Sequence, residues 1–161
     1  MSATPASASA PAPVLILTCG NPSRGDDALG PALYDLLEDH KRKTGDLSDV
    51  ELLTDFQLQI EHAVDLQQRE YILFVDASVS CSAPFECHEL KAERDDSFTT
   101  HAMSPASVLA VYLQVNHHEP PPAYLLTIRG YSFALGESLS SRAEENLQCA
   151  YRYILEQEYG H

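Results

Sequence analysis

The sequence predicts an α/β fold, a single three-layer domain in which helices cover both faces of a mostly parallel, twisted sheet of about five strands. Short, continuously apolar runs alternate along the chain with segments whose apolar residues recur every three or four positions. This alternation is typical of buried strands joined by crossover helices. The length of 161 residues fits one such domain.

The opening segment, residues 1–13, contains only Ala, Ser, Pro and Thr after the initiator. It lacks the apolar stretch of a secretory signal and the arginines of a mitochondrial one, so we predict a disordered tail followed by a domain over residues 14–161. The four cysteines have neither zinc-site spacing nor a secretory context. We therefore expect reduced thiols and a cytoplasmic location. We also expect a monomer.

The first predicted unit is a strand, a tight turn and a helix. VLILTC at 14–19 is a buried strand, and the turn GNPSRG at 20–25 follows it. Asp26 is expected to cap a helix. One face of that helix carries Leu29, Leu33, Leu36 and Leu37.

Two further strands complete the first half of the domain. VELLT at 50–54 is the second strand, and YILFVDA at 71–77 is a continuous apolar run that ends in an aspartate. A short helix between them is marked by Ile60, Ala63 and Val64.

In the second half, FECHEL at 85–90 alternates polar and apolar residues, which predicts an antiparallel edge strand. Ser104 and Pro105 begin a third helix. Its apolar positions are Val108, Val111, Tyr112 and Val115.

The last strand is predicted at AYLLTIRGY, residues 123–131. Ser141 and Glu144 then have the spacing of a capping box for a final helix. That helix carries its apolar residues on one side, at Ala143, Leu147, Ala150, Tyr151 and Ile154.

The composition excludes several classes of partner. The chain has 24 Asp and Glu against 10 Lys and Arg, a formal charge of −14. Nucleic acids and anionic membranes require positive charge on the protein, so we expect neither. No apolar run approaches the roughly 18 residues that a membrane span needs.

Candidate functional residues follow the predicted strands, where open α/β sheets bind their ligands. Asp27 follows the first strand, Asp76 ends the third, and His101 lies in the loop TTHAMSP at 99–105. Two carboxylates and an imidazole could share one divalent ion or act as general acid and base.

Simpler interpretations exist for each residue. Asp26 suits a structural cap, Asp27 complements a helix dipole, Asp76 could bond loop amides, and a lone histidine such as His101 is usually at the surface. Cys19 suits the core better than a nucleophilic role. The first turn lacks a dinucleotide or P-loop glycine pattern, and its aspartates would repel phosphate.

Four segments resemble, in order, the hydrogenase maturation proteases. They are CGNPSRGDDALG at 19–30, FVDASVS at 74–80, THAMSP at 100–105 and IRGYSF at 128–133. These endopeptidases remove a C-terminal extension from the large-subunit precursor of [NiFe] hydrogenases. The resemblance runs from Val14 to the last helix.

The resemblance implies that Asp27, Asp76 and His101 are the catalytic and metal-contacting residues. They would contact the nickel already present in the precursor, which would be the partner, and no permanent cofactor is expected. The general base is left open, and Asn21 would either tie the first turn together or donate to an oxyanion. A nickel-sensing chaperone that never cuts its client is the main alternative, followed by a metal-dependent phosphohydrolase.

Overall fold

The computed structural model describes residues 10–94 and 103–157. These residues form five strands and four helices, which alternate except where β4 follows β3 directly. In chain order they are β1 (Val14–Cys19), α1 (Leu29–Thr44), β2 (Val50–Asp55), α2 (His62–Asp65), β3 (Tyr71–Ser78), β4 (Phe85–Leu90), α3 (Pro105–Asn116), β5 (Ala123–Arg129) and α4 (Ser141–Glu156). A single turn of 3-10 helix at Gly25–Ala28 leads into α1.

The five strands form one sheet in the order β2-β1-β3-β5-β4. The first four run parallel, and β4 pairs antiparallel with β5 at the edge. The predicted fold class and the antiparallel edge strand are therefore confirmed. Because the four parallel strands point the same way, the loops that follow them gather at one end of the sheet, which we call the carboxyl edge.

Alternating side chains of β1 divide the core into two layers. Val14 and Ile16 pack in a cluster with residues of α1 and α4, while Leu15 and Leu17 pack in a second cluster with residues of α2 and α3. All six side chains of β1 are buried. Helices thus cover both faces of the sheet, as the continuous apolar run of β1 predicts.

The predicted helix faces hold in α1 and α4. Leu29, Leu33 and Leu37 of α1 are fully buried. The α4 residues Ala143, Leu147, Ala150 and Ile154 are buried in the same cluster. Ser104 caps α3 as predicted, because its hydroxyl accepts a hydrogen bond from the Ser107 amide at 3.1 Å.

Three of the apolar residues from which helices were predicted are exposed. Ile60, Val64 and Val115 are 59%, 65% and 63% exposed. α2 is a single turn, and its buried side is filled by His62 and Ala63. The short helix that Ile60, Ala63 and Val64 predicted is present, although Ile60 lies outside it. A single turn is too short for apolar spacing to define a buried face. Val115, expected on the apolar face of α3, lies in its last turn and is exposed, so that expectation was wrong.

Two predicted boundaries also shift. β5 ends at Arg129 instead of residue 131, and the N-cap of α4 is Ser140, whose hydroxyl accepts from the Ala143 amide at 3.2 Å. The predicted capping box at Ser141 and Glu144 was therefore wrong by one residue. Both shifts have one cause, a buried aspartate described below.

The four cysteines are free thiols. Within residues 10–94 and 103–157, no helix has the length and apolar character needed to cross a bilayer. Pro13 accepts hydrogen bonds from the amides of Glu70 and Tyr71, which joins the end of the predicted tail to the start of β3.

Candidate active site

Three aspartates lie close to the end of β1: Asp27 in the turn that follows it, Asp55 at the end of β2 and Asp76 near the end of β3. The pKa of the nearby Cys19 thiol is raised to about 12, mainly because the thiol is buried. The negative charges of Asp76, Asp55 and Asp27 raise this pKa further. Cys19 is buried, as expected, and this pKa keeps it a neutral thiol. The carboxyl edge therefore carries a concentrated negative charge.

Asp27 is held by the turn that follows β1. Its Oδ2 accepts a hydrogen bond from the Asn21 amide at 2.9 Å, and Asn21 Oδ1 accepts from the Ser23 amide at 2.8 Å. Asn21 thus ties the turn together, one of its two expected roles. Gly20 has a φ of +149°, and a Cβ there would lie 2.1 Å from the Asp27 carbonyl oxygen, so the turn requires glycine.

Asp76 lies near the end of β3 with its carboxylate accessible to solvent. Surrounding protein atoms nevertheless displace much of its hydration, and this desolvation raises its pKa to about 6. The Asp27 charge raises the pKa further, while a 2.8 Å hydrogen bond from the Ala77 amide opposes the rise. Asp27 and Asp76 therefore both lie at the carboxyl edge, near enough for the charge of one to act on the pKa of the other.

The predicted third member, His101, lies outside the described residues. The described chain resumes at Met103, whose amide donates a hydrogen bond to the Leu58 carbonyl at 3.3 Å. This contact joins the start of the α3 region to the loop after β2.

Asp26 is fully buried, and its role is structural. It does not cap α1, whose N-terminus has no side-chain cap, so that expectation was wrong. Its carboxylate accepts hydrogen bonds from the amides of Tyr131, Ser132 and Ser140 and from the Ser140 hydroxyl. Burial raises its pKa, but these four bonds together outweigh burial and hold the pKa below its ordinary value.

The bonds to Asp26 explain both shifted boundaries. Tyr131 leaves the sheet because its amide donates to Asp26 at 2.7 Å. Ser140 becomes the N-cap of α4 because Asp26 fixes its amide at 2.7 Å and its hydroxyl at 2.8 Å. Two of the motifs behind the family resemblance, at 19–30 and 128–133, thus meet at one buried carboxylate.

The sequence reasoning missed Asp55 and His62. His62 Nε2 lies 3.3 Å from Asp55 Oδ2, and His62 Nδ1 accepts a hydrogen bond from the Gln59 amide at 2.8 Å. The signal was available, because Asp55 ends a strand and Asp76 lies near the end of another. The second strand was predicted to end at residue 54, which left Asp55 outside it.

In the described part of the chain, no three His, Cys, Asp or Glu side chains are arranged to hold one metal ion. Asp27 and Asp76 remain a pair of like charges in which one raises the pKa of the other. A cation placed between them would relieve this repulsion. The pair is thus chemically suited to contact a cation that has further ligands of its own.

Exposed apolar side chains follow the ends of two site strands. We call Phe56, Ile60, Val64 and Val79 the apolar flank; they are 64%, 59%, 65% and 63% exposed. Phe56 adjoins the site directly, since its amide donates to Asp55 Oδ1 at 2.8 Å. Exposed apolar side chains beside a charged site are typical of a surface that binds another polypeptide.

No protein-family model matches the sequence, and no curated protein matches it. Solved structures do resemble the chain. The hydrogenase-maturating endopeptidase HybD from E. coli superposes with a TM-score of 0.66 at 23% identity, covering 88% of this chain and 89% of that one.

Two archaeal structures are also similar. The [NiFe] hydrogenase maturation protease HycI from Thermococcus kodakarensis gives a TM-score of 0.69 at 19% identity, with 90% and 91% of the two chains covered. The hydrogenase 2 maturation peptidase from a Thaumarchaeota archaeon gives 0.63 at 22% identity, with 89% and 95% covered. The resemblance seen in the motifs is thus confirmed at the level of the fold, and the chain has the fold of the hydrogenase maturation endopeptidases.

Proposed function

We propose that this protein is an endopeptidase that removes the C-terminal extension from the large-subunit precursor of a [NiFe] hydrogenase. The observation that carries the proposal is the placement of two acids at the carboxyl edge: Asp27 lies in the turn after β1, and Asp76 lies near the end of β3, the strand beside it. The fold shared with structures named as hydrogenase maturation endopeptidases supports it. The same likeness supports a peptide-bond hydrolase.

Nickel already bound in the precursor would be the recognition signal. Asp27 and Asp76 would contact that ion, with His101 as the third contact. A pair of carboxylates that repel each other gains stability from a divalent cation, and carboxylate and imidazole are ligands that nickel accepts. The metal belongs to the substrate, and we propose no resident cofactor.

The contact with nickel would place the scissile bond of the precursor over the carboxyl edge. When the scissile bond and the catalytic groups are held in a fixed geometry, the reaction no longer has to bring them together from solution. This saving of entropy is a large part of the rate gain in such reactions. The apolar flank would bind apolar side chains of the precursor around the cleavage site. We propose further that the protein acts as a monomer in the cytoplasm.

The test is a processing assay with nickel-loaded precursor, in which the product mass is measured by mass spectrometry. We expect loss of the extension with wild-type protein and no cleavage of precursor that lacks nickel. Asp27→Ala and Asp76→Ala should each reduce processing by at least about 100-fold, because each removes a contact to the ion that positions the substrate.

Asp35→Ala is the matched control, since Asp35 is an exposed acid in α1. It should process the precursor at the wild-type rate. Stable binding of nickel-loaded precursor with an unchanged mass would overturn the endopeptidase and indicate a chaperone. Full activity of either acid variant would overturn the assignment of that residue.

A further inference from the structure

The Asp55 carboxylate and the His62 imidazole form a pair that the predicted site did not include. Asp55 is the last residue of β2 and stands beside Cys19 of β1 in the sheet register. Its carbonyl accepts a hydrogen bond from the Gly20 amide at 3.1 Å, which fixes the end of β2 against the first turn. Asp55 therefore occupies the same edge as Asp27 and Asp76.

The orientation of the His62 ring is determined by its surroundings. The side chain is 10% exposed, and Nδ1 accepts a hydrogen bond from the Gln59 amide. A ring nitrogen that accepts from an amide carries no proton, so the proton of the neutral ring is on Nε2. Nε2 is the nitrogen that faces Asp55 Oδ2 at 3.3 Å.

Both oxygens of the Asp55 carboxylate have a protein neighbour, and the side chain is still accessible to solvent. Its Oδ1 accepts from the Phe56 amide at 2.8 Å, and its Oδ2 faces the imidazole. The side chain is 48% exposed, and each carboxylate oxygen can accept more than the single contact it makes here. Asp26, in contrast, is buried and uses its carboxylate for four hydrogen bonds within the fold.

We infer that Asp55 is the general base of the proposed hydrolysis and that His62 is the positioning residue that holds its carboxylate toward the carboxyl edge. The inference rests on the proposed function. The distance of 3.3 Å exceeds that of an ordinary hydrogen bond. Contacts of this kind often tighten when substrate binds.

The step balances as an ordinary hydrolysis. Asp55 takes a proton from water while the water oxygen bonds to the scissile carbonyl carbon, and the carbonyl π electrons move onto the carbonyl oxygen. When the carbonyl re-forms, the C–N bond breaks and Asp55 returns the proton to the leaving nitrogen. One water is consumed, and Asp55 ends as it began.

The kinetic test compares His62→Gln with His62→Leu in the processing assay. Gln keeps an N–H donor at about the position of Nε2, whereas Leu fills a similar volume with no donor. We expect His62→Gln to keep kcat within about fivefold and His62→Leu to lower kcat by about 10- to 100-fold, with KM changed less than about twofold. His88→Leu is the control, because His88 is a 62% exposed histidine on β4.

A double-mutant cycle separates positioning from a merely structural role. Asp55→Asn should lower kcat by at least about 100-fold. In that background His62→Leu should cause no further loss, because the carboxylate that it orients is already gone. Equal activity of His62→Leu and wild type would overturn the inference, and so would additive losses in the double variant.

A measurement without substrate tests the pair independently of cleavage. Nitrogen-15 NMR of the histidine rings should show His62 with an unprotonated Nδ1 and a protonated Nε2, and Asp55→Asn should shift the Nε2 resonance. A proton on Nδ1 of the neutral ring would overturn the positioning role even if the precursor is cut. A wild-type protein that leaves the precursor intact would instead overturn the proposed function.

Discussion

Asp26 and Asp27 are neighbours with the same side chain, but their surroundings differ completely. Asp26 is buried and bonded to three backbone amides and one hydroxyl, whereas Asp27 is partly exposed beside Asp76. Hydrogen bonds from several donors favour the ionised form of a buried carboxylate. The structural role expected for Asp26 is thus confirmed, although its partners belong to a distant segment instead of to its own helix.

Replacing Asp26 by Ala should destabilise the protein by roughly 3 kcal/mol or more, because it leaves several buried donors without an acceptor. The pKa of Asp26 is lowered in the folded state. Its stabilising effect is therefore present above the ordinary value of 3.8 and is lost as pH falls through the lower folded value. Urea unfolding at neutral and acid pH measures both effects.

The exposed Asp35→Ala variant should unfold like wild type at every pH. An Asp26→Ala variant as stable as wild type at neutral pH would contradict the proposed role of the four hydrogen bonds. The same conclusion would follow if the difference in unfolding free energy between Asp26→Ala and wild type stayed the same at acid pH.

Asp76 has the opposite relation between stability and pH. Its pKa is raised to about 6 from the ordinary value of 3.8, chiefly by desolvation. The ionised form is thus disfavoured by folding, and the penalty grows as pH rises through this interval. Asp76→Asn, which keeps the acceptor for the Ala77 amide, should stabilise the fold by about 1 kcal/mol at about pH 8, a value reduced for solvent exposure.

The comparison of wild type and Asp76→Asn by thermal unfolding should show no difference at about pH 3, where both side chains are neutral. The variant should also lose processing activity. A variant less stable than wild type at about pH 8 would show that Asp76 is a structural acid.

At the scale of the elements, the single turn α2 serves the site more than the core. Its first residue, His62, faces Asp55, and Ala63 packs in the core. Ile60 and Val64 are left exposed on the other side. Apolar residues that the fold does not bury are available to a protein partner.

Ile60→Ser combined with Val64→Ser should therefore leave the unfolding free energy within about 0.5 kcal/mol of wild type, because neither side chain is buried. In the processing assay, KM should rise by about 10-fold with kcat little changed, since only binding of the precursor is weakened. Val115→Ser is the matched control, because Val115 is as exposed but lies at the far end of α3. An unchanged KM in the double variant would exclude this part of the apolar flank from precursor binding.

At the scale of the whole molecule, the sheet could be predicted because its central strands are buried on both faces and are therefore apolar throughout. The six buried residues of β1 and the apolar run of β3 identify strands covered on both faces, and parallel order follows from the helices between them. Local spacing could not place Ser140 as a cap, because the acid that fixes it is 114 residues away. Likewise, Asp55 and His62 are separated by an irregular loop, so neither helix nor strand periodicity predicts that they are in contact.

The arrangement of the three site aspartates follows from the topology. β1 lies between β2 and β3, so Asp55 at the end of β2 and Asp76 near the end of β3 lie on either side of the turn that carries Asp27. A domain of this size gains several kcal/mol of stability from its core, which is enough to hold like charges together at one edge. Desolvation is the main cause of the raised pKa of Asp76, and the Asp27 charge adds to it. A divalent ion between the two acids would relieve the part that comes from charge, so the proposed substrate, which carries such an ion, would meet a site that gains from binding it.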